Sequence, residues 1–314
     1  MKNFAITGVA GYIAPRHLQA IKSTSNKLVA ALDPHDSVGI LDRFSYEVSF
    51  FSEFERFDRF LEKLKRTNNP DRIDYLSICA PNYLHDAHIR LAFRSDADAI
   101  CEKPLVLKPS NIDAMEELEE EYGHKVFNIL QLRVHPKIME LKEKFKFAAN
   151  TKHDIKLTYI TSRGIWYKYS WKGDESKSGG LVTNIGIHFF DMLMWIFGKP
   201  VNNHVYLRDS EKASGFLELE NANVRWYLSI DKNDLPKSAT INGANTFRSI
   251  TIDGDEIEFT DGFTDLHTEV YRRVLAGDGF GLSDARPSIE TVYQIRKNLI
   301  LNKFDYPHPI LIGE

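Results

Sequence analysis

From residue 4 to about residue 123 the chain alternates short apolar runs with amphipathic stretches at helical spacing, and few folds satisfy that pattern. Phe4–Thr7, Leu28–Leu32, Asp74–Cys79 and Ala99–Cys101 read as buried strands. Between them, Pro15 to Ile21 reads as a helix, and Phe54, Phe57, Leu61 and Leu64 recur at helical spacing behind a capping box, Ser52-Glu-Phe-Glu55. Ser110 is expected to cap a further helix that Gly123 ends. Strand and helix in strict alternation predict a doubly wound parallel sheet. The chain has 314 residues, 43% hydrophobic and 27% charged. That is enough for about two domains with a sizeable core.

The chemistry-bearing residues cluster where these strands end. In open α/β sheets the carboxyl edge is the ligand edge. The first strand runs into Gly8-Val-Ala-Gly11-Tyr12-Ile13-Ala14 and then into a helix, the context of a dinucleotide-binding turn. The spacing is one residue longer in its first gap than G-x-G-x-x-G. Gly11 would let the backbone approach a pyrophosphate at the helix N-terminus. Asp33 ends the second strand, where an acid accepts the ribose hydroxyls of NAD and repels the extra phosphate of NADP. The fourth run stops at Glu102-Lys103-Pro104, and a lysine there is placed to exchange a proton once partly desolvated. Pro81, Asn82 and His85 follow the third run and face the same edge. His85 and His88 are three apart, but no carboxylate or third histidine accompanies them, so no metal is expected.

From about residue 136 the pattern changes. β-rich stretches cover Ile155–Ser162, Val201–Leu207, Gly215–Leu219, Val224–Asp231 and Thr246–Ile252, with helices over His188–Phe197, Thr264–Leu275 and Ser283–Leu301. An α+β domain with a large, mostly antiparallel sheet is the expectation, over 124–314, behind an NAD-binding Rossmann domain over 1–123. The segment after its first strand carries Arg163, Lys168, Lys172 and Lys177 among Trp166, Tyr167, Tyr169 and Trp171, a combination suited to an anionic, ring-bearing ligand. Asn184 and His188 follow, four apart and able to share a helical face.

The net charge of −4 gives no basic surface for nucleic acid. Cys79 and Cys101 sit in strand-like runs and read as buried hydrophobes of a reduced, cytoplasmic protein. No signal-peptide core opens the chain. The most apolar stretch, Phe189–Phe197, is short and holds Asp191, so no membrane span is expected.

Gly8 to Ala14, Pro81-Asn82, Glu102-Lys103-Pro104 and Gly179-Gly180 to His188 together resemble the Gfo/Idh/MocA oxidoreductase family, over essentially the whole chain. Within it, Gly-Tyr-Ile-Ala-Pro-Arg-His, Cys-Glu-Lys-Pro-Leu-Val, Ile-Leu-Gln-Leu-Arg, Asn-Ile-Gly-Ile-His-Phe and Gly-Phe-Thr-Asp-Leu-His are similar to one bacterial subgroup, of lipopolysaccharide O-antigen synthesis. Those enzymes oxidise the C3 hydroxyl of UDP-N-acetylglucosaminuronate with NAD. The resemblance implies a homotetramer, and 2-oxoglutarate as co-substrate that takes the hydride back. It implies NAD lying across Gly8, Gly11, Tyr12, Ile13 and Asp33, with Pro81, Asn82, His85, Glu102, Lys103 and Arg133 near its ribose and nicotinamide. Arg163, Tyr167, Lys172, Lys177, Asn184 and His188 join Lys103 as substrate ligands. A related sugar or inositol dehydrogenase, and an NAD-binding sensor without catalysis, are the rival readings.

Hydride leaves C3 only as the hydroxyl proton is removed, so a base is required. Many family members carry Asp-x-x-x-His where this chain has Asn184-Ile-Gly-Ile-His188. An amide cannot serve as base. His188 starts near pKa ~6.5 and Lys103 near ~10.4, so His188 is the expected base and Lys103 the cation on the alkoxide. The family pattern also permits the reverse assignment.

Overall fold

The computed structural model describes residues 1–146, 151–241, 243–257 and 265–313. It separates into two compact units, Met1–Val134 with Thr264–Arg286, and His135–Phe263 with Pro287–Glu314.

The first unit is built on β1 (Asn3–Thr7), β2 (Lys27–Leu32), β3 (Ser49–Phe51), β4 (Tyr75–Ile78), β5 (Asp98–Cys101) and β6 (Val126–Asn128). Every pairing is parallel, in the order β3-β2-β1-β4-β5-β6. The chain steps outward from β1 to β3, then crosses to β4, so the order reverses beside β1. In open sheets of this kind that reversal point, outside the carboxyl ends of β1 and β4, is where ligands bind. The crossovers are α1 (Ala14–Ser23), α2 (Phe54–Arg66), α3 (His85–Arg94) and α4 (Pro109–Tyr122). Phe4, Ile6, Leu18, Phe57, Leu61, Leu76, Ile78 and Phe93 are among the fully buried core side chains.

Two expected caps differ. Helix α2 takes Glu53 as its N-cap with no side-chain cap bond, one residue after the predicted Ser52. Helix α4 starts at Pro109 after Lys108, because proline at the first turn already holds helical φ, and Ser110 falls inside that turn. Gly123 does end α4, at φ +70°. Strand β3, only three residues, was too short to show a period.

The expected domain break after residue 123 also shifts. Strand β6 lies beyond it and pairs with β5. The segment after Thr264 then returns to this unit. Asn128 N donates to Phe280 O at 2.8 Å, and the Arg133 guanidinium donates to Asp284 Oδ1 at 2.7 Å and to its carbonyl at 2.9 Å. The helix expected from Thr264 is described from Leu266 to Leu275. Gly262–Thr264 of the Gly-Phe-Thr-Asp-Leu-His stretch lie outside the described residues.

The second unit carries β7 (His153–Thr161), β8 (Pro200–Arg208), β9 (Lys212–Leu219), β10 (Ala222–Ser229), β11 (Thr246–Ile252) and β12 (Asp255–Glu256), in the order β12-β11-β7-β10-β9-β8. Among the described strands, β7 and β10 run parallel and the other pairs antiparallel. Side chains alternate between its faces. Trp226 points to the helix Ile187–Phe197, its ring 5.4 Å from Phe190. Opposite it in β9, a Cβ on Gly215 would lie 2.6 Å from the Trp226 ring, so only glycine admits the indole. Tyr227 takes the other face, under His308, while Tyr306 stacks on Phe216 at 4.8 Å.

The last long helix runs Leu282–Lys297 and stops short of the predicted Leu301. Ile300 pairs instead with Val205, and Leu301 N donates to Val205 O at 2.8 Å. The apolar helical stretch is longer than expected. Taken as Glu175–Phe197 it is long and apolar enough to cross a membrane by length and composition, yet most of it is buried within the protein, as in a core helix.

Candidate functional site

The glycine turn is determined by its neighbours. Gly8 adopts φ +76°, and a Cβ there would lie 2.5 Å from Cys79 O. Both facts exclude any other residue. Gly11 N donates to Gly8 O at 3.0 Å, and a Cβ on Gly11 would lie 2.9 Å from that oxygen. The turn is therefore pressed between β1 and the end of β4, and it opens directly into α1 behind Ile13. Pro15 sits in the first turn of α1, where its missing N–H costs nothing. Tyr12 stands 93% exposed beside the turn.

Asp33, buried at the end of β2, accepts from Ala10 N through Oδ2 and from His35 N through Oδ1, both at 2.9 Å. Each carboxylate oxygen has two acceptor positions, so one on each remains for a diol. Asn82 is buried in the 3₁₀ turn that follows Pro81.

Two residues expected near a cofactor are turned inward. His85 is fully buried, with Nδ1 2.8 Å from Pro104 O and Nε2 2.8 Å from Ala80 O. It ties the loop after β4 to the one after β5. Burial pushes its pKa down against the pull of those carbonyls. Arg133 is committed to Asp284 and lies over the Phe280 ring. The resemblance implies both near the cofactor; in this structure each also braces the fold, His85 between two loops and Arg133 against Asp284. His88 is likewise internal, bonded to Thr7 Oγ1 at 2.9 Å and stacked on Phe54.

Glu102 is 6% exposed at the end of β5. Its Oε1 accepts from His17 Nε2 at 3.0 Å and His267 Nε2 at 2.8 Å, and its Oε2 accepts from the main-chain nitrogen of Lys103 at 3.2 Å. Burial opposes its charge, but the hydrogen bonds from the two histidines prevail and hold the carboxyl well below its ordinary range, while burial pushes the His17 imidazole down. Lys103 follows directly, half-buried. The reading of residues one by one missed His17 and His267, although each closes one of the motif stretches quoted above.

In the second unit, Asn184 lies in a wide π turn, Val182–Gly186, and His188 in the first turn of the helix that follows. Turns of this kind recur at functional sites. Asn184 Nδ2 donates to the Tyr167 hydroxyl at 2.7 Å, both side chains being buried. Lys172 Nζ sits 4.5 Å from the Trp171 ring centroid and 5.7 Å from that of Trp166. Burial, then the neighbouring Arg163 charge, push its pKa down. Burial pushes the Tyr167 hydroxyl up, with the Asn184 bond and Arg163 pulling the other way. Arg163, Lys172, Tyr167 and Asn184 thus form one cationic and aromatic group. Lys177 is exposed and lies 3.6 Å from Asp174. Lys168 pairs with Glu211.

The model of the oxidoreductase family's NAD-binding Rossmann fold (GFO_IDH_MocA) matches residues 2–129, and that of its C-terminal alpha/beta domain matches residues 151–307. The crystal structure of the WlbA (WbpB) dehydrogenase from Thermus thermophilus with NAD and alpha-ketoglutarate is 50% identical, covering 99% of this chain and 100% of that one at a TM-score of 0.95. The same dehydrogenase with NAD and UDP-GlcNAcA matches at 49% identity, 99% and 100% coverage and a TM-score of 0.94. Among curated proteins, D-glucoside 3-dehydrogenase of Escherichia coli is 24% identical over 45% of this chain and 42% of its own length. The chain spans about half the length of the curated relatives it matches.

Proposed function

The chain belongs to the Gfo/Idh/MocA oxidoreductase family, and from that premise we propose that it oxidises the C3 hydroxyl of UDP-N-acetylglucosaminuronate to the ketone. The observation that carries this is the likeness, at about half identity over its full length, to a dehydrogenase crystallised with NAD and that sugar nucleotide. Its cofactor is NAD. The fit is visible in this chain: a glycine turn that no Cβ can enter, a helix N-terminus behind it, and Asp33 with acceptor capacity left. The nicotinamide, when bound, supplies the hydride acceptor.

The remaining chemistry belongs to the protein. His188 is the base for the C3 hydroxyl proton, and Lys103 stabilises the alkoxide and then hydrogen-bonds the ketone. Asn184, its amide oriented by Tyr167, aligns the hydroxyl or the acetamido group. Arg163 and Lys172 hold the sugar carboxylate and the diphosphate, supported by the partly desolvated Lys172 ammonium, which gains when an anion pairs with it. Gly8, Gly11, Tyr12, Ile13, Asp33, Pro81 and Asn82 carry the cofactor. Glu102, His85 and Arg133 brace that site.

The relative crystallised with alpha-ketoglutarate supports a second half-reaction. In it 2-oxoglutarate takes the hydride back and regenerates NAD within the same site. We place the enzyme in the cytoplasm as a homotetramer, in O-antigen sugar synthesis.

Purified protein should convert UDP-N-acetylglucosaminuronate to a 3-keto sugar, in one turnover without 2-oxoglutarate and catalytically with it. Turnover of a free sugar or inositol alone would favour a related dehydrogenase. Tight NAD binding without any turnover would favour a sensor.

A further inference from the structure

Two histidines 250 residues apart in the sequence, His17 and His267, meet on Glu102, and no step of the reaction uses either. His17 comes from α1 and His267 opens the helix Leu266–Leu275, both deeply buried. The network runs on from His17 Nδ1 to the Tyr271 hydroxyl at 2.7 Å, and from there to Ser77 Oγ at 2.6 Å. The groups facing the carboxylate are therefore His17, His267 and Tyr271, with Cys79 from the end of β4, His85 from α3, and Cys101 and Lys103 from its own strand end.

A carboxylate at this depth stays ionised only if donors replace water. Here each imidazole brings one to the same oxygen. Two histidines and a glutamate are also metal-ligand types, and their ligating atoms lie within 4.8 Å of one another. Metal bonds of ~2.1 Å in tetrahedral array would hold ligand atoms about 3.4 Å apart. The observed 2.8 and 3.0 Å are hydrogen-bond separations to one shared oxygen.

The main chain of Glu102 is already fixed. Its nitrogen donates to Ile78 O at 3.0 Å, and Asn128 Nδ2 donates to Cys101 O at 3.0 Å and Glu102 O at 3.3 Å. What the two imidazoles add is control of the carboxylate, whose second oxygen receives the Lys103 N–H.

We propose that His17 and His267 are positioning residues that act through Glu102: they hold its carboxylate ionised and in one orientation, and the carboxylate holds the backbone from which Lys103 presents its ammonium. This rests on the reading of Lys103 as the group that stabilises the alkoxide.

The test compares His17→Leu and His267→Leu, singly and together, with His267→Gln, which keeps an N–H donor. Single-turnover NADH formation should fall about tenfold or more in the leucine variants, with NAD affinity and the KM for the sugar nucleotide changed less than about threefold. A new acidic limb should appear in the pH–rate profile, because Glu102 now takes a proton at accessible pH. The glutamine variant should recover most of the rate. Two resonances read the same event without turnover: the Glu102 carboxyl carbon, identified by its loss in Glu102→Gln, and the Lys103 amide, identified by its loss in Lys103→Met. Both should be constant near neutrality in the wild type and titrate together in the double leucine variant.

Leucine variants that lose thermal stability yet keep the wild-type profile and constant resonances would reduce the pair to scaffolding and overturn the proposal. So would a stoichiometric divalent metal that departs when either histidine is replaced. If the wild-type enzyme fails to oxidise the sugar nucleotide, the functional reading fails, while the paired titration still decides whether the histidines govern Glu102 and the Lys103 backbone.

Discussion

The main-chain nitrogen of Ala10 donates to Asp33 Oδ2 at 2.9 Å, so the acid that ends β2 is bonded to the glycine turn that ends β1. One carboxylate therefore shapes the turn and, in the proposed function, meets the cofactor. Replacing it tests both roles. Asp33→Asn keeps an acceptor for one main-chain N–H and removes the charge. NAD affinity should fall about tenfold, and the preference for NAD over NADP should shrink further, since the repulsion of a 2′-phosphate is gone. Fluorescence titration with both nucleotides measures it. A wild-type preference for NADP would contradict the assignment of Asp33.

Gly8→Ala should be far more damaging. Its Cβ would meet Cys79 O at 2.5 Å, a backbone atom of a central strand end, at a φ of +76°. Neither side can yield cheaply, so a loss on the order of 3 kcal/mol or more is expected. Urea unfolding reads the stability, and NAD titration of the folded fraction reads the cofactor site. An alanine variant as stable as the wild type would refute the packing argument.

The division of labour between His188 and Lys103 separates in the pH–rate profile. With His188 as base, His188→Asn removes the acidic limb of kcat and lowers the rate about a hundredfold or more. Lys103→Met lowers the rate by a similar factor and leaves that limb in place. If the limb disappears with Lys103→Met and survives His188→Asn, the two roles are exchanged.

Part of the acid sensitivity should arise from two buried histidines, one in each unit. Burial first, then the nearby His85, push His88 down to about 4. Burial first, then Arg225 and Lys156, push His308 down to about 4. Unfolded histidine titrates near ~6.5, so between these values the unfolded chain binds more protons than the folded one. Stability is then fully present above the unfolded value and is lost as pH falls from it towards the folded value. Each group contributes on the order of 2–3 kcal/mol. His88→Gln removes one titration while keeping a donor for Thr7, so its urea midpoint should drop less than that of the wild type between neutral and acidic buffer. Equal drops would show that His88 does not set the acid limit.

The local pattern of residues was sufficient for the architecture. Four apolar runs divided by amphipathic stretches could bury their surface only as a parallel sheet covered by helices, and the β-rich remainder only as a second layered unit. Glycines at 8 and 11, Asp33 and Lys103 were legible because a strand end is a local feature and the carboxyl edge of such a sheet is a known place. Tertiary structure decided what local patterns do not encode. It set His85 between the carbonyls of Pro104 and Ala80 and Arg133 against Asp284, partners that no local pattern names. It carried Thr264–Arg286 back to the first unit and set His267 against Glu102 opposite His17. Periodicity reports that a side chain is buried; it does not report which distant side chain meets it there. The ionisation of Glu102 depends on those two partners, so only the folded chain determines it.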